Sequence, residues 1–225
     1  MPLPPLTVLL EGHRWVVVSK PAGIATERHF DHDTVEARAQ VQWKRPGSEK
    51  PAFVGIVHRL DRPVSGALLL ARNKSTLRAL NEAFAAGRTR KVYWALTAGP
   101  LPRPAGQLTH YLHRDRTGRR ALAATRPLPG AKESTLSYRL LRRVDDDYLY
   151  EVRPRTGRFH QIRVQLATAG ASIIGDVSYG SDRFAEPHTI RLHARSLSFT
   201  TPAGEKISVT APLPPGWPAL LTEEE

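Results

Sequence analysis

The sequence predicts an α+β fold with a mixed, largely antiparallel sheet flanked by helices and loops. Segments with strand-like patterns outnumber helical ones, and the two kinds alternate irregularly instead of in regular strand–helix units. The 225 residues contain no tandem repeat and no low-complexity block. We therefore expect one continuous domain over residues 1–225.

The predicted strands are short and are separated by turn-forming residues. Two of them lie within residues 7–20 around a Glu-Gly turn, and two more are expected to pair around the three aspartates at 145–147. The strands after the first pair cover residues 53–57, 66–71, 90–97, 134–141, 148–153, 191–199 and 206–210.

Three helices are predicted from apolar spacing and from their end residues. For the first, Asp33 or Thr34 can act as the N-cap, and Glu36 is placed to complete a capping box on Asp33. The helices cover residues 34–43, 75–87 and 160–169, and Gly87 and Gly170 end the second and third.

The charge balance indicates a polyanionic partner. Lys and Arg number 33 against 21 Asp and Glu, which gives a net charge of +12, and the isoelectric point is about 10.5. Of the 33 basic residues 26 are Arg, whose planar guanidinium suits phosphate and base recognition. A GC-rich genome would explain part of the Arg excess, but it would not explain the net charge.

Several function classes are excluded by what the sequence lacks. It has no cysteine, so a disulfide framework, a thiolate metal site and a cysteine nucleophile are ruled out. The nine His residues are scattered without metal-ligand spacing, and no glycine-rich cofactor loop or serine-hydrolase elbow occurs. We expect no metal, no cofactor, no membrane span, no signal peptide and a cytoplasmic location.

A first candidate site is the segment Val57–Pro63, in which Asp61 lies between Arg59 and Arg62 and precedes an apolar strand. Pro63 fixes the loop, and nearby guanidinium groups favour an ionised carboxylate. An anionic carboxylate held in a basic protein is a candidate nucleophile or base. A structural ion pair explains the same residues, and composition alone favours it.

A second candidate site is the segment Arg155–Arg163. Gly157 permits a tight turn, and the following helix N-terminus would present free N–H groups to an anion. Helical spacing places His160 and Phe159 beside Arg163. Arg163 could bind RNA phosphate, pair with Asp61 or be a solvated helix charge.

The order of the motifs resembles that of the RluA-type pseudouridine synthases. The resemblance covers residues 7–215 and rests on five segments in sequence order. They are Ser19–Gly23, Val57–Gly66 with the apolar residues after it, Arg88–Tyr93, Arg155–Arg163, and Ile173–Gly180 together with Leu192–Leu197.

The resemblance implies isomerisation of uridine to pseudouridine in structured tRNA or rRNA, without a cofactor. By similarity Asp61 is the essential carboxylate, Arg163 is its ion-pair partner, and Tyr93 lies against the target base and takes part in proton transfer. Without the resemblance, the position of Tyr93 on its predicted strand indicates a residue that packs in the core. By similarity Arg59 fills the gap left by the flipped nucleotide. The expected RNA contacts are Arg59, Arg62, Arg158 and His160.

The sequence departs from the family pattern in four ways. Because the domain begins near residue 7, we expect no additional S4-type RNA-binding domain of the kind that many relatives carry. We therefore expect the basic segment 109–143, with nine Arg or Lys and two acidic residues, to contact RNA. Val64 and Gln165 replace the commoner Thr and His, and Ala-Ser at 171–172 replaces the commoner His-Pro. A monomer without an obligate protein partner is expected.

Two other functions compete with this hypothesis. A non-catalytic RNA-binding module would share the charge but would gain nothing from Asp61. A metal-independent RNA nuclease would use His58 and His160 and would shorten RNA.

Overall fold

The computed structural model describes residues 3–28 and 33–218. Within them the chain forms two compact units: unit 1 comprises the described residues up to 91 together with those from 194 onward, and unit 2 comprises residues 92–193. The predicted α+β class is confirmed, with strands paired mainly in antiparallel fashion. The expectation of a single catalytic domain remains a prediction.

Unit 1 contains strands β1 (Thr7–Gly12), β2 (Trp15–Lys20), β3 (Gly55–Ile56), β4 (Ser65–Ala71), β10 (Leu192–Thr200) and β11 (Lys206–Thr210). Strand β4 pairs with β2 and β3, and β11 pairs with β10, in each case antiparallel. Helices α1 (Val35–Gln42) and α2 (Lys74–Ala85) complete the unit. Every residue of β4 is buried, as its continuous apolar pattern predicts.

Gly66 in β4 has a φ of +118°, and a Cβ there would lie 2.4 Å from the Ala194 carbonyl oxygen. This close approach of two backbones explains the glycine.

Unit 2 is an antiparallel arrangement in the order β5 (Arg90–Thr97), β9 (Asp147–Pro154), β8 (Lys132–Val144), β6 (Ala105–Arg114) and β7 (Ala121–Ala124). Helix α3 (Gln161–Thr168) and a 3₁₀ turn (Val177–Tyr179) follow β9. Leu112, Ala121, Val164 and Tyr179 form a small buried cluster here. Strands β6 and β7 were not predicted, because β6 begins with the exposed residues Ala-Gly-Gln, which give no strand pattern, and β7 has only four residues.

The predicted capping box on α1 is wrong. Thr34 is the N-cap and accepts a hydrogen bond from the Ala37 N–H at 3.1 Å. Asp33 instead forms a bidentate pair with Arg38 at 2.7 and 2.6 Å, and Glu36 accepts from the Arg28 N–H. The Arg38 guanidinium gives the Asp33 carboxylate two charge-assisted hydrogen bonds, whereas the cap would give it one.

Two other helix ends differ from the prediction. Helix α2 begins at Lys74, one residue before the predicted start, and Asn73 caps it by accepting from the Thr76 N–H at 2.8 Å. Helix α3 begins at Gln161, because His160 has a φ of 53° in the left-handed region. His160 therefore lies outside the helix, against the prediction, and helical spacing does not relate Phe159 or His160 to Arg163.

Candidate active site and RNA-binding surface

The backbone of the loop that carries Asp61 is held on both sides by hydrogen bonds within unit 1. The Thr26 hydroxyl donates to the Leu60 carbonyl at 2.9 Å and accepts from the Leu60 N–H at 3.1 Å. The Val64 N–H donates to the Asp61 carbonyl at 3.0 Å, and the Gly23 N–H donates to the Arg62 carbonyl at 2.9 Å. The backbone around Asp61 is thus fixed by these hydrogen bonds, as preorganisation of a reacting group requires.

Lys20 lies beneath this loop and is fully buried. Its Nζ donates to the carbonyl oxygens of Val64 at 2.7 Å, Pro21 at 2.8 Å and Arg62 at 3.2 Å. Burial lowers the pKa of Lys20 to about 7, and the negative charge of Asp61 opposes that shift. Lys20 therefore joins the Ser19–Gly23 segment to the Asp61 loop. This segment is part of the family resemblance, but the residues alone indicated no role for Lys20.

We expect Lys20→Met to destabilise the protein by about 2 kcal/mol, because it leaves buried carbonyl groups without a donor. Urea unfolding at pH 7 measures this loss. Lys74→Met, at an exposed position of α2, is the matched control and should leave the unfolding free energy unchanged. Equal effects of the two substitutions would show that the three bonds do not stabilise the loop.

The two arginines beside Asp61 have partners of their own. Arg59 is exposed and forms an ion pair at 3.1 Å with Glu27, whose side chain is also exposed. Such a pair contributes little to stability, so Arg59 can move toward RNA at small cost. The Arg62 Nε donates to the Gly23 carbonyl at 2.8 Å, which leaves the rest of its exposed guanidinium at the surface. Their contacts with RNA remain predictions.

His58 has a structural environment. Its Nε2 accepts the Leu69 N–H at 3.1 Å, and its ring stacks on Phe84 with centroids 5.1 Å apart. Burial lowers the pKa of His58 to about 3, with Lys91 contributing. A neutral imidazole whose Nε2 is already bonded to the backbone does not exchange protons near pH 7, which argues against a nuclease using His58 and His160.

His58 should make stability depend on pH below 6.5. The unfolded chain takes up a proton near pH 6.5, whereas folded His58 resists protonation down to about pH 3. The free energy of unfolding should therefore fall as pH decreases through this range, by about 1–2 kcal/mol between pH 7 and 5. His58→Gln, which keeps an acceptor for Leu69, should flatten this part of the profile in urea unfolding at pH 7, 6 and 5. An unchanged pH dependence in the variant would assign it to other groups.

Arg163 in unit 2 is buried and pairs with Asp176. The Arg163 Nε donates to Asp176 Oδ2 at 2.7 Å, and Nη2 donates to Oδ1 at 2.8 Å. The exposed fractions of the two side chains are 6% and 1%, so the solvated-charge interpretation of Arg163 is wrong. Its guanidinium also lies 5.0 Å from the centroid of the Tyr179 ring. The pairing of Arg163 with Asp61 remains a prediction.

Tyr179 connects this ion pair with His160. The Tyr179 hydroxyl accepts the Ala121 N–H at 2.8 Å and lies 2.9 Å from His160 Nδ1. Burial raises the pKa of Tyr179, so the phenol stays protonated and can bond to His160. The amino-acid pattern alone indicated no role for Asp176 or Tyr179. Both lie in the segment Ile173–Gly180, which carries part of the resemblance. Membership of that segment was the signal in the sequence that could have indicated a role for them.

The turn before α3 is fixed by the side chain of Gln161. Its Oε1 accepts from the Thr156 hydroxyl at 2.8 Å and from the Arg158 N–H at 3.0 Å, and its Nε2 donates to the Thr135 carbonyl at 3.1 Å. Gly157 does not have the positive φ expected of a tight glycine turn. Arg158 is exposed at this turn. Its predicted RNA contact, like that of His160, remains a prediction.

Tyr93 lies on β5 opposite Val152 of β9, and 8% of its surface is exposed. The predicted strand has the same bounds as β5. This burial agrees with the packing role that the residues alone suggest, and the role beside a target base remains a prediction.

The basic segment 109–143 forms part of β6, all of β7 and most of β8. In the β6–β7 loop Asp115 accepts from the Thr117 hydroxyl and the backbone N–H groups of Arg119 and Arg120. The only acid of this loop thus shapes the turn, and the guanidinium groups around it are exposed. Exposed arginines on one hairpin form the kind of surface that binds phosphates.

Within the described ranges, no group of three or more His, Asp or Glu side chains is arranged to hold a metal ion. The same part of the chain contains no helix long and apolar enough to span a membrane.

Structural comparison defines the class of fold. The chain is similar to a solved structure titled human RNA pseudouridylate synthase domain containing 1, with a TM-score of 0.77 and 26% identity over 93% of this chain and 84% of that one. A second human structure, RNA pseudouridylate synthase domain containing 4, shares the fold with a TM-score of 0.72. The fold is therefore that of a pseudouridylate synthase domain.

Sequence comparison then identifies the family. Residues 14–168 match the model of RNA pseudouridylate synthases. An uncharacterised RNA pseudouridine synthase of Zymomonas mobilis is 33% identical over 95% of this chain and 96% of its own length. The ribosomal large subunit pseudouridine synthase D of Borreliella burgdorferi is also 33% identical, over 86% of this chain, which spans 60% of that relative. The chain belongs to the RNA pseudouridylate synthase family, which confirms the predicted family and its class of enzyme, an isomerase acting on RNA.

Proposed function

We propose that the chain isomerises uridines in structured RNA and that Asp61 provides the carboxylate on which the reaction depends. The observation that carries this proposal is the loop of Asp61, whose backbone is held by Thr26, Gly23 and the buried Lys20. A module that only binds RNA has no use for a fixed carboxylate in a chain of charge +12.

The reaction exchanges one glycosidic bond for another. The N1–C1′ bond breaks, the uracil turns, and C5 bonds to C1′; the C5 hydrogen leaves as a proton, and N1 gains one. The target nucleotide must leave the stack at a cost of a few kcal/mol, which is lower in loops with unstacked bases. Phosphate contacts to the basic surface supply binding energy for this step.

Each site residue has a role in this proposal. Arg163, oriented by Asp176, is the guanidinium partner of Asp61. Tyr93 lies against the target base, and Arg59 fills the gap that the flipped nucleotide leaves. Arg62, Arg158, His160 and the segment 109–143 contact the surrounding RNA.

The proposed substrate is ribosomal or transfer RNA, and ribosomal RNA should be tested first. Two similar proteins, from Borreliella burgdorferi and Vibrio cholerae, carry names of ribosomal large subunit pseudouridine synthases. The protein is expected to act as a monomer in the cytoplasm, without a cofactor.

Tritium release from transcripts labelled at uridine C5 tests this function, because C5 must lose its hydrogen when it bonds to C1′. Large-subunit rRNA fragments, tRNA transcripts and total cellular RNA serve as substrates. Release from any of them supports the proposal. Tight RNA binding without release from all three would favour a non-catalytic RNA-binding module, and shortened RNA would favour a nuclease.

A further inference from the structure

Three flat side chains form a stacked column beside the β6–β7 loop in unit 2. The guanidinium carbon of Arg114 lies over the Phe159 ring, 4.2 Å from its centroid. The ring centroids of Phe159 and His160 are 3.7 Å apart, and the planes of the two rings differ by 20°. The order of the column is therefore Arg114, Phe159, His160.

The inner end of the column is fixed by the protein. His160 Nδ1 lies 2.9 Å from the Tyr179 hydroxyl, which also accepts the Ala121 N–H. Phe159 packs against a buried cluster that includes Val164. His160 adopts the left-handed conformation, which a residue other than glycine rarely takes unless its surroundings hold it there. The flat surface is thus formed before any ligand arrives.

The outer end of the column is exposed and positively charged. Arg114 is exposed, and no carboxylate of the described residues forms an ion pair with it. Asp115, its neighbour in sequence, bonds to the backbone and the threonine of its own loop. Arg116 and Arg119 on the same loop are also exposed. The charge of Arg114 is therefore available to a ligand.

We propose that Arg114, Phe159 and His160 form a nucleobase-stacking subsite, in which an unpaired base of the substrate RNA other than the target uridine stacks on the outer face of Arg114. A planar guanidinium can lie between two π surfaces, with the Phe159 ring on one side and a base on the other. Its charge and the adjacent arginines also attract the phosphates of the same nucleotide. This inference rests on the proposed RNA substrate.

Comparison of Arg114→Lys with Arg114→Ala tests stacking separately from charge. Lysine keeps the positive charge but has no flat face. We expect Arg114→Lys to raise the Kd for a large-subunit rRNA transcript about tenfold at fixed salt, with the salt dependence of binding unchanged. Arg114→Ala should weaken binding at least as much and also reduce the salt dependence. Arg116 provides the matched control. The Kd of Arg116→Lys for the same transcript should lie within about twofold of the wild-type value.

Phe159→Leu provides an independent variant, because leucine keeps an apolar contact with the cluster but removes the flat ring. It should weaken binding as Arg114→Lys does, with thermal unfolding showing that the protein is folded. Full affinity in Arg114→Lys combined with a loss in Arg114→Ala would make Arg114 a phosphate contact and would overturn the stacking subsite. Wild-type affinity in both Arg114→Lys and Arg114→Ala would also overturn the stacking subsite. These results depend on binding alone, so a wild-type protein that releases no tritium would contradict the proposed function without deciding the subsite.

Discussion

Replacement of Asp61 by Asn is expected to lower the rate of tritium release by about 10³-fold or more. Asparagine has the shape of aspartate but carries no negative charge, so it cannot act as a base or nucleophile. The loop is held through the backbone atoms of Leu60, Asp61, Arg62 and Val64, and the substitution leaves these bonds in place. The loss should therefore appear in turnover while the variant remains folded, as urea unfolding at pH 7 would show.

Asp182→Asn removes the same charge at an exposed position and is the matched control. It should retain wild-type turnover. If Asp61→Asn keeps its activity within about tenfold of wild type, Asp61 is not the essential carboxylate. A different result would favour the binding-module hypothesis: neither wild type nor Asp61→Asn releases tritium, and Asp61→Asn binds RNA at least as tightly as wild type.

Replacement of Asp176 by Asn is expected to destabilise the protein by about 3 kcal/mol, because it removes the carboxylate from the buried guanidinium of Arg163. Urea unfolding at pH 7 measures the change. Glu186→Gln is the matched control. Glu186 also pairs with an arginine through two bonds, at 2.6 and 2.9 Å to Arg191, but it is half exposed. This surface pair should contribute less than about 1 kcal/mol.

A double replacement separates stability from function at the same pair. Arg163→Met with Asp176→Leu removes both buried charges and should recover much of the stability lost by Asp176→Asn. It should remain inactive, because Arg163 is absent. A double variant no more stable than Asp176→Asn would contradict the view that an uncompensated buried charge causes the loss. An active double variant would show that Arg163 is not needed for the reaction.

Local patterns predicted the elements whose signals lie within a few residues. Strands β5 and β11 were predicted with the bounds that the structure shows, because alternating or apolar residues between turn formers specify a strand locally. The candidate residue Asp61 was likewise found from its neighbours and from the order of the family motifs. Helix ends were less accurate. Whether Asp33 caps α1 depends on competition with Arg38, which the spacing of a capping box does not reveal.

The sequence by itself determined the fold class, the family and the excess of positive charge, and it indicated Asp61 as a candidate carboxylate. Only the tertiary structure decided which groups surround the candidate residues. Lys20 reaches carbonyl groups more than 40 positions away, and Arg163 pairs with Asp176 across 13 positions. Arg114, at the end of β6, stacks on Phe159 in the turn before α3. Hydrogen bonds and stacking act over a few ångströms in space, and separation along the chain does not specify which residues come that close.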